Sequence, residues 1–278
     1  METILDEAES PSIVERRRSP RPGFWSRNET WILGTISVSA FLLFWQYSVS
    51  AGLVNPLFTS SPIRIVRTAI DMFSQGEIYN DIKVSGIEFL WGYALSILVG
   101  VPMGILMGWY RRINAIFEPF VSALYASPRI ALVPLMVIWF GIGLGSKIAI
   151  IFLGAVFPIL INMVTGVRTV DRDFIKVARA FGASDRQLFA TVVFPSTVPM
   201  LLAGLRLGLG HALIGIVVGE MYAATAGIGY MISVAGSTFR TSQVMVGVIM
   251  IAGLGVGLTE ALRAIERRFE RWRPDNRR

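Results

Sequence analysis

Long apolar runs in this sequence are interrupted by a few side chains that carry charge or share a proton: Arg129, Arg206, His211 and Glu220. Ionisable groups at membrane depth are costly and mark functional sites or partnered charges. The covalent chemistry open to them is narrow. The chain has no cysteine and one histidine, which removes thiol nucleophiles, disulfides and histidine-cluster metal sites. An intramembrane enzyme would need a nucleophile or a carboxylate pair at that depth, and neither is present. What remains is non-covalent. Arg129, set between Pro128 and Pro134, suits either of two tasks. It is a cationic station for an anionic solute, in a helix opened toward a cavity, or an ion that pairs or snorkels to hold its helix. Arg206 reads as an interface snorkeller. Glu220 either pairs with an arginine or lines a gate. His211 either hydrogen-bonds within the bundle or acts on the path, and Tyr125 and Trp139 either line that path or pack. Residues 141–147 imitate a phosphate loop, but Ser146 stands where G-x-x-x-x-G-K requires its second glycine. No nucleotide site is legible elsewhere, so no cofactor is expected and any ATP is bound by another subunit.

The elements that must position these groups are helices. Hydrophobic residues make up 53% of the 278 and charged residues 16%, against about 25% charged in soluble domains. The charges fall in bands between apolar runs about as long as a bilayer-crossing helix. Six runs predict an all-α polytopic membrane protein: about 31–53, 86–110, 119–140, 148–167, 198–221 and 241–262. Lipid satisfies no backbone polar group, so each crossing is read as helix. The domain reading is a disordered cytoplasmic tail at 1–30, a first transmembrane helix at 31–55 and an external amphipathic segment at 56–83. A core domain at 84–268 and a basic cytoplasmic tail at 269–278 follow. The first run is too long for a cleaved signal and reads as a retained anchor. In the amphipathic segment Ile63, Val66, Ile70 and Phe73 share one face. Gly100, Gly104 and Gly108, Gly204 and Gly208, Gly215 and Gly219, and Gly253 and Gly257 form small-residue faces that let helices approach closely.

Lys and Arg set the orientation. Nineteen fall on the side that holds both termini and five on the other, with Arg129 and Arg206 inside spans. Both termini are therefore expected in the cytoplasm. The net charge of +7 is membrane-orienting charge and not a nucleic-acid footprint.

One cytoplasmic stretch has no reason to be there as a simple loop. Asp171 and Asp173 open a helix with negative charge at its N-terminus, and Phe174, Val177, Ala178 and Phe181 recur at i, i+3, i+4 and i+7. Gly182 reads as the residue that ends it, Ser184 and Gln187 as a capping box for a second short helix, and Pro195 as its break. The result is a stiff amphipathic elbow that either covers helix ends or receives a partner.

This stretch resembles the cytoplasmic signature E-A-A-x-x-x-G-x9-I-x-L-P of ATP-binding-cassette importer permeases. Lys176-Val177-Ala178, Gly182 and Val192-Val193-Phe194-Pro195 hold its spacing, with Lys for the glutamate and Val for the first alanine. Ser127 to Leu135, Trp139 to Gly143, Phe157 to Leu160, Gly204-Leu205-Arg206 and Gly219-Glu220-Met221 resemble the subgroup that imports nitrate, taurine and alkanesulfonates. The resemblance covers roughly 56–272. It implies the six-helix type I importer permease fold, with a coupling helix that docks on a separate ABC ATPase through Lys176, Val177, Ala178, Arg179, Phe181, Gly182, Ala183, Ser184, Gln187 and Pro195. It also implies a second permease subunit, as a homodimer, an external solute-binding protein and the bacterial cytoplasmic membrane. The solute so implied is a small anion such as a sulfonate, taurine, nitrate or an aromatic carboxylate. A neutral vitamin precursor stays open, as does a self-sufficient secondary transporter, which would bring coupling carboxylates and an internal repeat.

Overall fold

The computed structural model describes residues 24–269. The expected tails therefore lie outside the described residues at 1–23 and 270–278. Helix α1 runs Phe24–Ser50, so it starts earlier than 31 and takes in the end of the expected tail. No proline interrupts residues 24–54, and Gly52 at φ +72° makes the first reversal.

Two short helices follow, α2 (Pro56–Thr59) and α3 (Pro62–Ser74), each with proline in its first turn and an N-cap from Asn55 or Ser61. Proline is suited to that position because the first N–H groups of a helix have no intrahelical partner. On α3 the face at Ile63, Val66, Ile70 and Phe73 is exposed, while Ile65 and Met72 are buried against Ile78, Ile228, Met231 and Val246. Gly76, at φ +78°, turns the chain into α4 (Glu77–Trp109). Helix α4 thus begins at Glu77, within the expected external segment of 56–83, and runs on into the second apolar stretch.

Helices α4, α7 (Leu144–Arg168) and α10 (Phe194–Ala223) form the centre of the bundle. Gly92, Gly100, Gly104 and Gly108 of α4 lie against Ile151, Ile159, Met163 and Val167 of α7, and a Cβ at Gly104 would stand 2.6 Å from Met163 Cβ. Gly204 and Gly208 of α10 meet Ile159 in the same way. Gly253 and Gly257, on α12 (Thr241–Phe269), have nothing within 4 Å. Within one chain these two glycines form no helix contact, whereas Gly255 between them lies against Leu213 of α10.

The expected third span is not one helix. Helix α5 (Arg111–Ala126) ends, Ser127 is extended, and a 3-10 turn at Arg129–Leu132 leads into α6 (Val133–Phe140). The two halves meet at 93°. Pro128 denies Ser127 helical backbone angles, and Pro134 restarts a helix where a missing N–H does no harm. Among the described residues five helices are long and apolar enough to cross a membrane, or six if the bent pair is one crossing.

Pro195 also departs from expectation. Helix α8 (Arg172–Ala180) and α9 (Asp185–Leu188) form the elbow, but α9 continues through a widened turn at Phe189–Val193 into α10. The Phe194 N–H reaches back to the Phe189 carbonyl. This widening accommodates a proline that would otherwise clash one turn back. A further helix, α11 (Ile228–Ser237), packs beside α10 and α12 and has no counterpart in the expected spans.

Candidate functional site

The break after Ser127 places Arg129 on the 3-10 turn, beside α7. Its guanidinium donates to the Gly154 carbonyl at 3.0 Å and lies 5.1 Å from the centre of the Tyr125 ring. Gly154 is also where α7 and α10 nearly touch, since a Cβ there would stand 3.0 Å from the His211 carbonyl. Between these elements is a cavity of about 310 Å3, with Arg129, Ser127, Gly154 and His211 in its wall and Ile130, Val133, Ile150 and Ile214 completing it. His211 Nδ1 is 2.9 Å from the Leu207 carbonyl. A carbonyl only accepts, so Nδ1 carries the proton in that bond, and among the described residues Nε2 has no partner. No carboxylate lines the cavity. A fixed cation in an apolar chamber of ligand size is a setting for an anion.

The bend thus brings Arg129 and His211 together, with Tyr125 stacked behind the guanidinium and outside the lining. Trp139 is 64% exposed and elsewhere. Glu220 neither pairs with an arginine nor lines this cavity. It is buried, accepting from the Ser85 hydroxyl at 2.6 Å and from the Gly229 N–H at 2.6 Å. Ser85 Oγ accepts from Ile228 N–H, and Asp81 from Gly227 N–H. Three side chains from α4 and α10 therefore cap the free N–H groups at the start of α11, a role that favours a carboxylate there. Arg206 has a charged partner. It pairs with Glu266 on α12, which lies within reach because α12 extends well beyond the expected end at 262.

Sequence reasoning missed a buried ion pair. Lys147 Nζ is 2.9 Å from Glu88 Oε1, with the side chains 6% and 2% exposed. Neither residue was singled out from the sequence. Both lie inside helices at the same end of neighbouring crossings, and opposite charges so placed were the available signal.

At the other end of the bundle the elbow stands clear. Phe181 is 88% exposed, and Phe174 and Val177 are more than half exposed. Gly182 takes φ +78°, and the Ser184–Gln187 capping box is complete. Arg179 bridges the turn to Asp185 at 2.8 Å. Lys176 is paired with Asp173 at 2.8 Å, so the lysine standing where the signature has glutamate is held within its own helix. Ala183 is half-buried, and Pro195 lies on α10 beyond the elbow. Exposed apolar side chains in a charged surround mark a contact surface.

A bundle of apolar crossings, one of them bent around a cationic chamber, together with an exposed elbow at one face, defines a multi-pass membrane permease. Residues 100–271 match the family described as binding-protein-dependent transport system inner membrane component, and this chain belongs to that family. It is 33% identical over 243 residues to the Bacillus subtilis protein SsuC, named for aliphatic sulfonates transport, covering 87% of this chain and 88% of that one. It is 33% identical over 252 residues to the taurine transport system permease protein TauC of Escherichia coli, covering 89% and 91%. It is 32% identical over 240 residues to the formylaminopyrimidine transport permease protein ThiX of Halalkalibacterium halodurans, covering 86% and 95%. A chain of the MetNI methionine ABC transporter in an inward-facing conformation matches with a TM-score of 0.48 at 19% identity, over 66% of this chain and 94% of that one, a likeness too slight to build on. The protein is an ABC importer permease of this binding-protein-dependent family, with relatives named for alkanesulfonate and taurine transport. It is a transport subunit of the cytoplasmic membrane and not an enzyme. It works with a separate ATPase and a solute-binding protein.

Proposed function

We propose that this permease passes a small organic anion of the sulfonate class through the chamber at Arg129. The observation that carries this reading is a guanidinium held by the Gly154 carbonyl in a cavity with no carboxylate in its wall. An unpaired ion near the midplane costs several kcal/mol or more, and a fixed opposite charge lowers that barrier. His211 Nε2 adds a second polar contact. The relatives named for sulfonates and taurine support the same class. A neutral heterocycle is the second reading, favoured by the relative named for formylaminopyrimidine transport and by the isoleucine-rich wall. No cofactor belongs to this chain in either reading.

The elbow from Lys176 to Gln187 is the ATPase-docking surface in this reading, and the arginine asymmetry puts it and both termini in the cytoplasm. Two copies of the chain pair as a homodimer. Membership of a partner-driven family favours this arrangement over a self-sufficient secondary transporter.

The test is Arg129→Gln, with uptake and complex yield measured on one preparation. Uptake of a sulfonate should fall at least tenfold while the assembled complex is recovered in normal amount. Arg129→Lys should keep part of the activity if charge suffices, and lose it if the planar fork is needed. Normal uptake by well-assembled Arg129→Gln would refute the path role.

A further inference from the structure

At the membrane end opposite the elbow a second cleft, of about 520 Å3, opens between α2, α3 and the start of α12. We propose that it binds the phosphate of an anionic phospholipid headgroup. Two guanidinium groups, Arg64 and Arg240, stand in its wall with Thr68 and Gln243, and no carboxylate is among the lining residues. Among the described residues neither arginine makes an ion pair. The one acidic residue of α3, Asp71, lies outside the lining. Two unpaired arginines lining one cleft with hydroxyl and amide side chains suit the oxygens of a phosphate.

The frame of the cleft is fixed independently of any ligand. Ser60 and Ser242 share a hydrogen bond of 2.8 Å, the Thr241 hydroxyl donates to the Leu57 carbonyl, and Asn55 Oδ1 accepts from the Leu57 N–H at 2.9 Å. Asn55 thereby uses its oxygen and leaves its amide N–H groups for the cleft. Phe239 sits at φ +57°, a conformation that bulky residues seldom take. That turn holds Phe239 on the rim while the next residue, Arg240, lines the cleft.

The place of the cleft selects a lipid as occupant. It lies where the chain has just left α1 and is about to enter α12, two apolar membrane-crossing helices, so it sits at headgroup level. Its rim is oily: Leu57, Phe58 and Phe239 are 50%, 65% and 60% exposed, and the two phenylalanine rings meet edge-on at 6.4 Å. A free oxyanion or an acidic protein side chain gains nothing from such a rim, whereas glycerol and the first acyl carbons do. The cleft shares no residue with the Arg129 cavity and takes none from α7 or α10, so it is not part of the solute path.

The test uses the full chain purified with its ATPase in mild detergent. Phosphatidylglycerol is titrated by native mass spectrometry against the native complex, Arg64→Gln/Arg240→Gln, and Arg267→Gln at the opposite end. Each basic residue near an anionic lipid surface is worth about a fivefold gain in binding, so the double substitution should weaken phosphatidylglycerol about thirtyfold. Arg267→Gln should leave it unchanged, and millimolar inorganic phosphate should not displace the lipid. Both arginines are exposed, so the double variant should retain the fold. Unchanged phosphatidylglycerol affinity in the double variant overturns the proposal. Ready displacement by inorganic phosphate also overturns it, making the cleft a free-anion site. So does a loss of solute-binding-protein affinity with lipid binding intact, which would make the arginines a protein-docking patch.

Discussion

Replacing Lys147 by methionine tests whether the buried ion pair with Glu88 holds the end of the bundle farthest from the elbow. The two groups are 2.9 Å apart and almost wholly enclosed. Glu88 Oε2 is buried with no hydrogen-bond partner among the described residues, so Lys147 is the contact that compensates the carboxylate. Removing one partner of such a pair costs about 3–5 kcal/mol, because the other charge is left enclosed and uncompensated. For a chain of this size that lowers Tm by about 6–20 °C, at about 2–4 °C per kcal/mol. Glu88→Leu should cost a similar amount. The double variant Glu88→Leu/Lys147→Met leaves neither charge of the pair and should recover more than half of the loss, since apolar replacements of a buried pair are often neutral. The assay is thermal unfolding of the detergent-solubilised complex across the four-member cycle. A double variant as damaged as the sum of the singles would refute the pairing argument, as would singles as stable as the native chain.

Other consequences are open to direct measurement. Gly182→Val forces a branched side chain into left-handed backbone at about 1–2 kcal/mol and should abolish co-purification of the ATPase without reducing membrane insertion. In this cysteine-free chain, Ser184→Cys should react with impermeant thiol reagents only from the cytoplasm and Ser237→Cys only from outside; the reverse pattern overturns the orientation. Gly104→Ala, whose new carbon would stand 2.6 Å from Met163 Cβ and 2.8 Å from the Leu160 carbonyl, should destabilise the bundle by about 1–3 kcal/mol. Gly253→Ala, with nothing within 4 Å, should be neutral by the same unfolding assay.

The elements whose chemistry is local were legible in the sequence. Ser184 and Gln187 cap a helix within four residues of chain, and Gly182 ends one by its own backbone freedom, so the elbow could be drawn from 171–188 alone. Apolar runs gave the crossings because the bilayer imposes their length. What escaped depends on contacts between distant segments. Glu88 and Lys147 are 59 residues apart, and each read alone is a charge at a helix end. From the sequence Glu220 reads as pairing with an arginine or lining a gate because its actual partners are a serine on α4 and the Gly229 N–H of α11, a helix too short to stand out as a span. Proline was a sound guide at one place and not at the other. Pro128 and Pro134 marked the interruption of the third crossing, though not its 93° bend, while Pro195 failed to break a helix because the turn before it widened. Hydropathy averages over a window and does not register where the hydrogen-bond ladder is interrupted.

The widened turn has a mechanical meaning. Because Pro195 does not interrupt the chain, one helical rod runs Asp185–Ala223, about 58 Å at 1.5 Å per residue. Its foot is the second limb of the elbow, His211 and Gly215 stand at its waist in the chamber wall, and Glu220 grips α11 at its head. A rod of this kind acts as a lever. Tilting it by about 5° about its middle moves each end by about 2.5 Å in opposite senses, from half the length set by the helical rise. A push at the foot therefore reaches the head as displacement, with no chain of side-chain rearrangements between them. The compliant point of the lever is the widened turn itself, one helical turn above the load.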